Sequence, residues 1–410
     1  MGKLGVVSLA VIAGMVTALL PAREAAAQDF GQEWIDRITH EQQQERGPLS
    51  PKAFNWTGDV GAQYAYDNNI FLTQTGKKSD NIIIPFVQAG LSYAEQRFEV
   101  EASLLANYKI YTKNEDTSHD EERFFLHARQ VGNRWNFEVS QLFVNVSDPS
   151  GVVFLNRVTR NVSTTTPKVA FDIARNWTFE LDGAIQTVRF VDQFYSQGQE
   201  NDNFRIAGSL VYRTSLGFDL VGQFGYYHVN YLQPRDEPHG TPDFFGYIAT
   251  GGFRGQIFER LSLEGQIGYM SAQTDFFPNG AVINDSNLTV TANFRYEASQ
   301  TVTFFLDFQR LYTFNGFGDP FQLVNSAVII GQLEMSEGFT LRARAQYDRS
   351  ESALKQNRDY LNGNVGASYK IGSHWLIDGS AGYRWGKTDS GPAETKFNDV
   401  LFQLGVAFTW

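Results

Sequence analysis

Cysteine is absent from all 410 residues, which excludes disulfides, thiolate metal sites, a cysteine nucleophile and an acylated lipoprotein cysteine. Long apolar runs are almost as scarce. Beyond residues 4–20 no stretch of about 20 apolar residues occurs, so the chain is not a bundle of membrane-spanning helices. Basic residues are in deficit, 34 Lys and Arg against 45 Asp and Glu, and the net charge of -11 argues against nucleic acid as a partner. His40, His119, His127, His228, His239 and His374 share no spacing with Ser, Asp or Glu that would build a catalytic or metal-ligating set, and only His127 is expected to point inward from a strand. Neither an enzyme nor a cofactor is expected.

A mean hydropathy of -0.31 leaves another kind of membrane protein open, because a barrel strand needs apolar residues only at alternate positions over roughly ten residues. The end of the chain shows that pattern. Phe402, Leu404, Val406, Phe408 and Trp410 alternate with Gln403, Gly405, Ala407 and Thr409, which gives one greasy face, one small or polar face and a terminal aromatic. The same alternation recurs in Phe98 to Tyr111, where Glu99, Glu101 and Lys109 cannot face lipid and so assign the inner side. Many strands begin or end on Trp, Tyr or Phe, as an aromatic girdle requires.

The chain opens on a leader. Lys3 precedes a mostly apolar run ended by Pro21, and Ala25-Ala26-Ala27 offers a cleavage site, so residues 1–27 read as a cleaved signal peptide. Residues 28–53 form a polar extension in which Trp34, Ile35 and Ile38 are spaced as one side of a short amphipathic helix on the periplasmic side, too short for a plug domain. Residues 54–410 read as one all-β, antiparallel, up-and-down transmembrane barrel of about eighteen strands, with sixteen as the alternative. Tight turns alternate with long connections rich in Asp, Asn, Gly and Pro. That asymmetry predicts a bacterial outer-membrane barrel with short periplasmic turns, longer outside loops and both termini periplasmic. Pro85, Pro167 and a loss of parity around Gln141 predict β-bulges in three strands.

Near the tight turns the inner face carries opposite charges across each hairpin. Arg129 is expected to face Glu138, Arg213 to face Asp219, Arg254 to face Glu264, Glu334 to face Arg342, and Lys370 to lie near Asp378. These pairs either neutralise a polar wall or set the field and selectivity at one mouth. Loop acids such as Glu115, Asp116, Asp120 and Glu121 read mainly as solvated, with divalent bridging to lipopolysaccharide as the minor reading.

Tyr66-Asp67-Asn68-Asn69-Ile70-Phe71-Leu72-Thr73, Lys77-Lys78-Ser79-Asp80, Ile84-Pro85 and Gly90-Leu91-Ser92-Tyr93 together resemble the β-barrel porin 2 family of outer-membrane proteins. The specific signal covers about 30 residues. The resemblance implies an outer-membrane channel, with export of a secreted polysaccharide as one function and exopolysaccharide-export components as partners; it implies no functional residues. Phe402, Leu404, Val406, Phe408 and Trp410 look like the assembly signal gripped by the barrel-assembly machinery, with Trp where Phe is more usual. Passive passage of small polar solutes or polysaccharide export is the expected function, and a non-conducting structural or surface-binding barrel is the alternative.

Overall fold

The computed structural model describes residues 53–147, 159–191, 200–232, 241–274, 282–316, 319–336, 338–353, 355–389 and 394–410. The expected signal peptide, the amphipathic stretch at Trp34 to Ile38 and parts of several long loops, including most of the one between Gln233 and Asp243, lie outside them. Eighteen strands run in order: β1 (Ala53–Asp67), β2 (Asp80–Glu95), β3 (Phe98–Tyr111), β4 (His119–Val131), β5 (Trp135–Val146), β6 (Arg160–Ala174), β7 (Trp177–Phe190), β8 (Asn201–Arg213) and β9 (Phe218–Tyr231). The second half comprises β10 (Phe244–Phe258), β11 (Leu261–Thr274), β12 (Asn284–Glu297), β13 (Val302–Gly316), β14 (Asp319–Ser336), β15 (Phe339–Ser352), β16 (Asn357–Ile371), β17 (Trp375–Asp389) and β18 (Glu394–Thr409). Each strand pairs antiparallel with its neighbours in the chain, and β18 returns to β1 with Asp59 opposite Thr409 and Asp67 opposite Leu401. The sheet therefore closes into an 18-stranded barrel without an edge.

The barrel has a turn end, where the tight turns and both barrel termini lie, and a loop end, where the longer connections lie. Strand parity sets its two faces. On β2, Ile83, Val87 and Leu91 are 44%, 50% and 40% exposed, while Ile82, Ile84, Phe86 and Gln88 between them are buried against the interior. Exposed leucines, isoleucines and valines in most of these outward rows make sense only against an apolar solvent. Trp56, Trp135, Trp177, Trp375 and Trp410 lie outward at the turn end; Tyr64, Tyr108, Tyr247, Tyr269, Tyr347 and Tyr383 lie outward at the loop end. These rows are the two aromatic girdles. Gly58 lets the Trp410 ring lie flat on the wall, since a Cβ there would sit 2.3 Å from it.

The three expected bulges are not formed. Pro85 keeps its place opposite Ala62 and Pro167 opposite Val139, and the flanking registers stay constant. Each proline faces outward and costs one ladder bond without inserting a residue. Gln141 keeps its outward parity too. Its amide donates to Ser163 Oγ at 2.8 Å and accepts from Thr165 Oγ1 on β6, so a sideways hydrogen bond satisfies the group that parity aims at lipid. Among the described residues the register shifts only at Asp172/Ala174, Gln256/Phe258 and Glu334/Ser336, all beside tight turns.

The lumen as candidate functional site

The inner rows of the eighteen strands converge on the lumen, which has two chemically different halves. In the turn-end half, β6 to β11 hold a network of ions. Lys168 Nζ lies 3.2 Å from Glu180, and Arg254 grips the same carboxylate with Nη2 at 2.6 Å and Nη1 at 3.2 Å. Arg254 Nε also lies 3.6 Å from Asp219, and Arg205 lies 4.0 Å from Asp182. A bidentate guanidinium clamp between side chains that are 13% and 7% exposed is stronger and more directional than a surface pair.

The expected hairpin pairs are placed as follows. Arg129 stands opposite Glu138 with 3.4 Å between Nε and Oε1, and Asn136 links the two, accepting from the arginine and donating to the carboxylate. Arg254 stands opposite Glu264 in the register, but its guanidinium turns to Glu180 and Asp219 instead. Arg213 stands opposite Asp219 in the register, yet its ion partner is Asp172 on β6, at 3.0 Å. Long side chains on tilted strands can meet across two or three strands as well as across one. Glu334 stands opposite Thr340, and Arg342 opposite Gln332, because the hairpin closes at Ser336 and Phe339, tighter than the expected pairing requires, and leaves the two charges one same-face pair apart. Glu334 accepts from Gln332 at 3.1 Å. Lys370 and Asp378 share the inner face one pair apart, opposite Leu376 and Ser368 respectively. Outside the lumen, Phe402, Leu404, Val406 and Trp410 point outward at 42–59% exposure, and Phe408 stacks with His374 and Trp410.

The loop-end half is packed. Arg384 donates from Nε to Asp399 at 2.8 Å and lies 3.4 Å from Asp67, with all three side chains no more than 2% exposed. The connection after β1 folds inward over this triad. Asn69, fully buried, donates to the carbonyls of Thr73 and Asn398, both at 2.9 Å. Leu72, held at φ +53°, packs with Val324, Tyr360 and Phe397, and Ile70 packs with Ala65, Ile82, Ile84, Tyr111 and Leu401. Asp80 accepts backbone hydrogen bonds from Thr112, Lys113 and Asn114, which ties down the β3–β4 connection. On the far side, Val229, Tyr231, Phe244, Met270, Tyr312, Phe321 and Leu323 form one buried apolar cluster.

His119 points inward beside His127, where only His127 was expected, because β4 begins at His119 opposite Lys109. Its ring meets Ser147 Oγ and lies 3.4 Å from Glu121, while the other ring nitrogen lies 2.7 Å from the Thr117 carbonyl oxygen. Ser147 is itself buried and donates to Glu121 at 3.0 Å. This set ties the loop ends of β4 and β5 together, and spacing along the chain gives no sign of it.

No family model matches the chain, and no curated protein matches it. The resemblance to the β-barrel porin 2 family rests on its motif alone. Solved structures similar in shape include OpdK of Pseudomonas aeruginosa, solved with vanillate, at 10% identity and TM-score 0.47, covering 87% of this chain and 99% of that one. OccAB3 of Acinetobacter baumannii gives 8% identity and TM-score 0.45, covering 87% and 100%. The FrpB iron transporter of Neisseria meningitidis gives 8% identity and TM-score 0.46, covering 87% and 81%. Likenesses this distant say nothing of what this chain carries, and the barrel stands on its own closed strand pairing.

Proposed function

We propose that this chain is a bacterial outer-membrane channel that lets small polar solutes diffuse through its lumen. The observation that carries the reading is the split of each strand into an apolar outer row and a largely polar, ion-bearing inner row, around a sheet of 18 strands. A barrel of that strand number has room for a water-filled path. In this reading the turn end and both termini are periplasmic, the loop end faces outside and meets lipopolysaccharide, and the outward aromatic row of β18 is what the barrel-assembly machinery grips.

Export of a polysaccharide comes only from the family resemblance, and the packed loop-end mouth favours small solutes over a polymer. The same packing supports a second reading, a surface-binding barrel that does not conduct. Planar-bilayer recording of the purified barrel separates them. Stepwise openings that survive repeated reconstitution support the channel, and consistent silence supports the surface binder.

A further inference from the structure

The apolar cluster at the loop end contains an impossibility for a simple cylinder. Tyr312 and Leu323 stand opposite each other on β13 and β14 and share the outward parity of Leu306 and Ile329, which are 36% and 56% exposed. Yet Tyr312 and Leu323 are only 5% and 7% exposed, and they pack with Tyr231, Phe244 and Met270 from the inner rows of β9, β10 and β11. The outer face of one part of the wall touches the inner face of another. That can happen only if the wall bends inward at the loop-end parts of β13 and β14, so that they lie across the lumen while β14 stays paired with β15.

The pairings show which side is free. β11 and β12 stay paired as far as Gln273 and Asn284, but β12 and β13 part after Val290 and Arg310, and β13 continues paired to β14 alone. Arg310 sits at the parting. It donates from Nε to the Leu288 carbonyl at 3.1 Å, from Nη1 to Asn325 at 2.6 Å and from Nη2 to Asn287 at 3.3 Å, while Thr289 Oγ1 donates to its carbonyl at 2.8 Å. One side chain therefore joins β12 to β14 and takes the Leu288 carbonyl that the parted ladder would leave unmet, as Thr289 takes that of Arg310. At the far end the contact is light: the Phe321 and Phe244 rings are 5.5 Å apart, Tyr231 donates its hydroxyl to the Pro320 carbonyl at 2.7 Å, and the Tyr312 N–H lies 3.4 Å from Met270 Sδ.

We infer that the loop-end parts of β13 and β14 form a hinged leaf, pinned at Arg310 and latched by Phe321 on Phe244, that closes the outer mouth and swings aside for solute to pass. The leaf is free along β13 but stays joined to the wall along β14, which pairs with β15 as far as Gln322 and Ser352, so that ladder is its hinge line and its opening breaks mostly the apolar contacts on the β13 side. The inference rests on the channel reading and adds its regulation.

The absence of cysteine makes the test clean. Phe244→Cys/Phe321→Cys, bridged by a short reducible bis-thiosulfonate reagent, is reconstituted in planar bilayers and recorded before and after reductant. Phe321→Ser, without any reagent, is recorded beside it as a latch-free form, and heat-modifiable mobility in gels verifies that each variant is folded. The leaf predicts a several-fold lower conductance when bridged, recovery on reduction, and a higher open fraction than wild type for Phe321→Ser. Equal conductance bridged and reduced, with wild-type behaviour of Phe321→Ser, overturns the leaf and leaves the channel standing. Silence of every folded form overturns the channel reading and the leaf with it.

Discussion

Thr340, Arg342 and Arg344, on the turn-end half of the inner row of β15, reach water, whereas Gln346, Asp348, Ser350 and Ser352, further along the same row, are buried. The two halves share a strand, a parity and a polar composition, so nothing in the local sequence separates them. The difference lies in what stands opposite. Across from the buried half, the inward fold at Ile70 and Leu72 and the loop-end parts of β13 and β14 fill the lumen. There Asp348 accepts from Ser326 at 2.7 Å and from Gln346 at 2.8 Å. A carboxylate without water must find such donors. Parity decides which way a residue points; only long-range packing decides whether water meets it.

The largest effect expected from disturbing this contrast is at the buried triad. Arg384→Leu removes the guanidinium held between the buried Asp67 and Asp399, and it should destabilise the barrel by about 3–5 kcal/mol. Thermal unfolding in detergent reads this directly. An unchanged midpoint would mean that the loop end does not depend on the triad. Next comes Phe244→Ala, which empties the centre of the apolar cluster at a cost of about 3 kcal/mol. Urea unfolding of the folded barrel should show the loss.

In the wetter half the effects are smaller and of a different kind. Arg254→Gln removes the bidentate partner of Glu180 but leaves Lys168 in place, so the loss is about 1–3 kcal/mol. The lumen also loses a positive charge, and the reversal potential under a salt gradient should move toward cation selectivity. An unmoved potential would place the conducting path away from the network. The smallest effect concerns Arg213. Its pair with Asp172 joins side chains that are 53% and 43% exposed, so a double-mutant cycle should give a coupling well under about 1 kcal/mol. The cycle for Arg213 with Asp219 should be additive within error, because the guanidinium turns to Asp172 instead.

Strand number, order and the inner and outer rows were legible in the sequence because period-two alternation is local, and charged positions such as Glu99 and Lys109 mark the wet side. Ion partners were legible only as register. Arg129 and Glu138 meet where the ladder puts them, but Arg254 reaches Glu180 three strands away. Sheet tilt and side-chain length decide that contact, and neither is written in spacing. Packing of the loop end was not read at all. Its trace was present: Val229, Tyr231, Phe244 and Met270 place apolar side chains on inner rows that should be polar, and β14 runs 18 residues, longer than a membrane crossing needs. The motif from Tyr66 to Thr73 was noticed as a resemblance, while its physical role, an inward fold seated by Asn69 and Leu72, needed the far strands to appear.

The central claim is a lumen wetter at the turn end and packed at the loop end, and thiol accessibility tests it most directly. Thr340→Cys and Ser350→Cys each place a single thiol on the same inner row of β15 in a chain that has none of its own. In the folded barrel, a small charged thiol reagent should label Thr340→Cys rapidly and Ser350→Cys slowly, with the two rates converging once the protein is unfolded. Equal, rapid labelling of both thiols in the folded barrel would contradict the packed loop end.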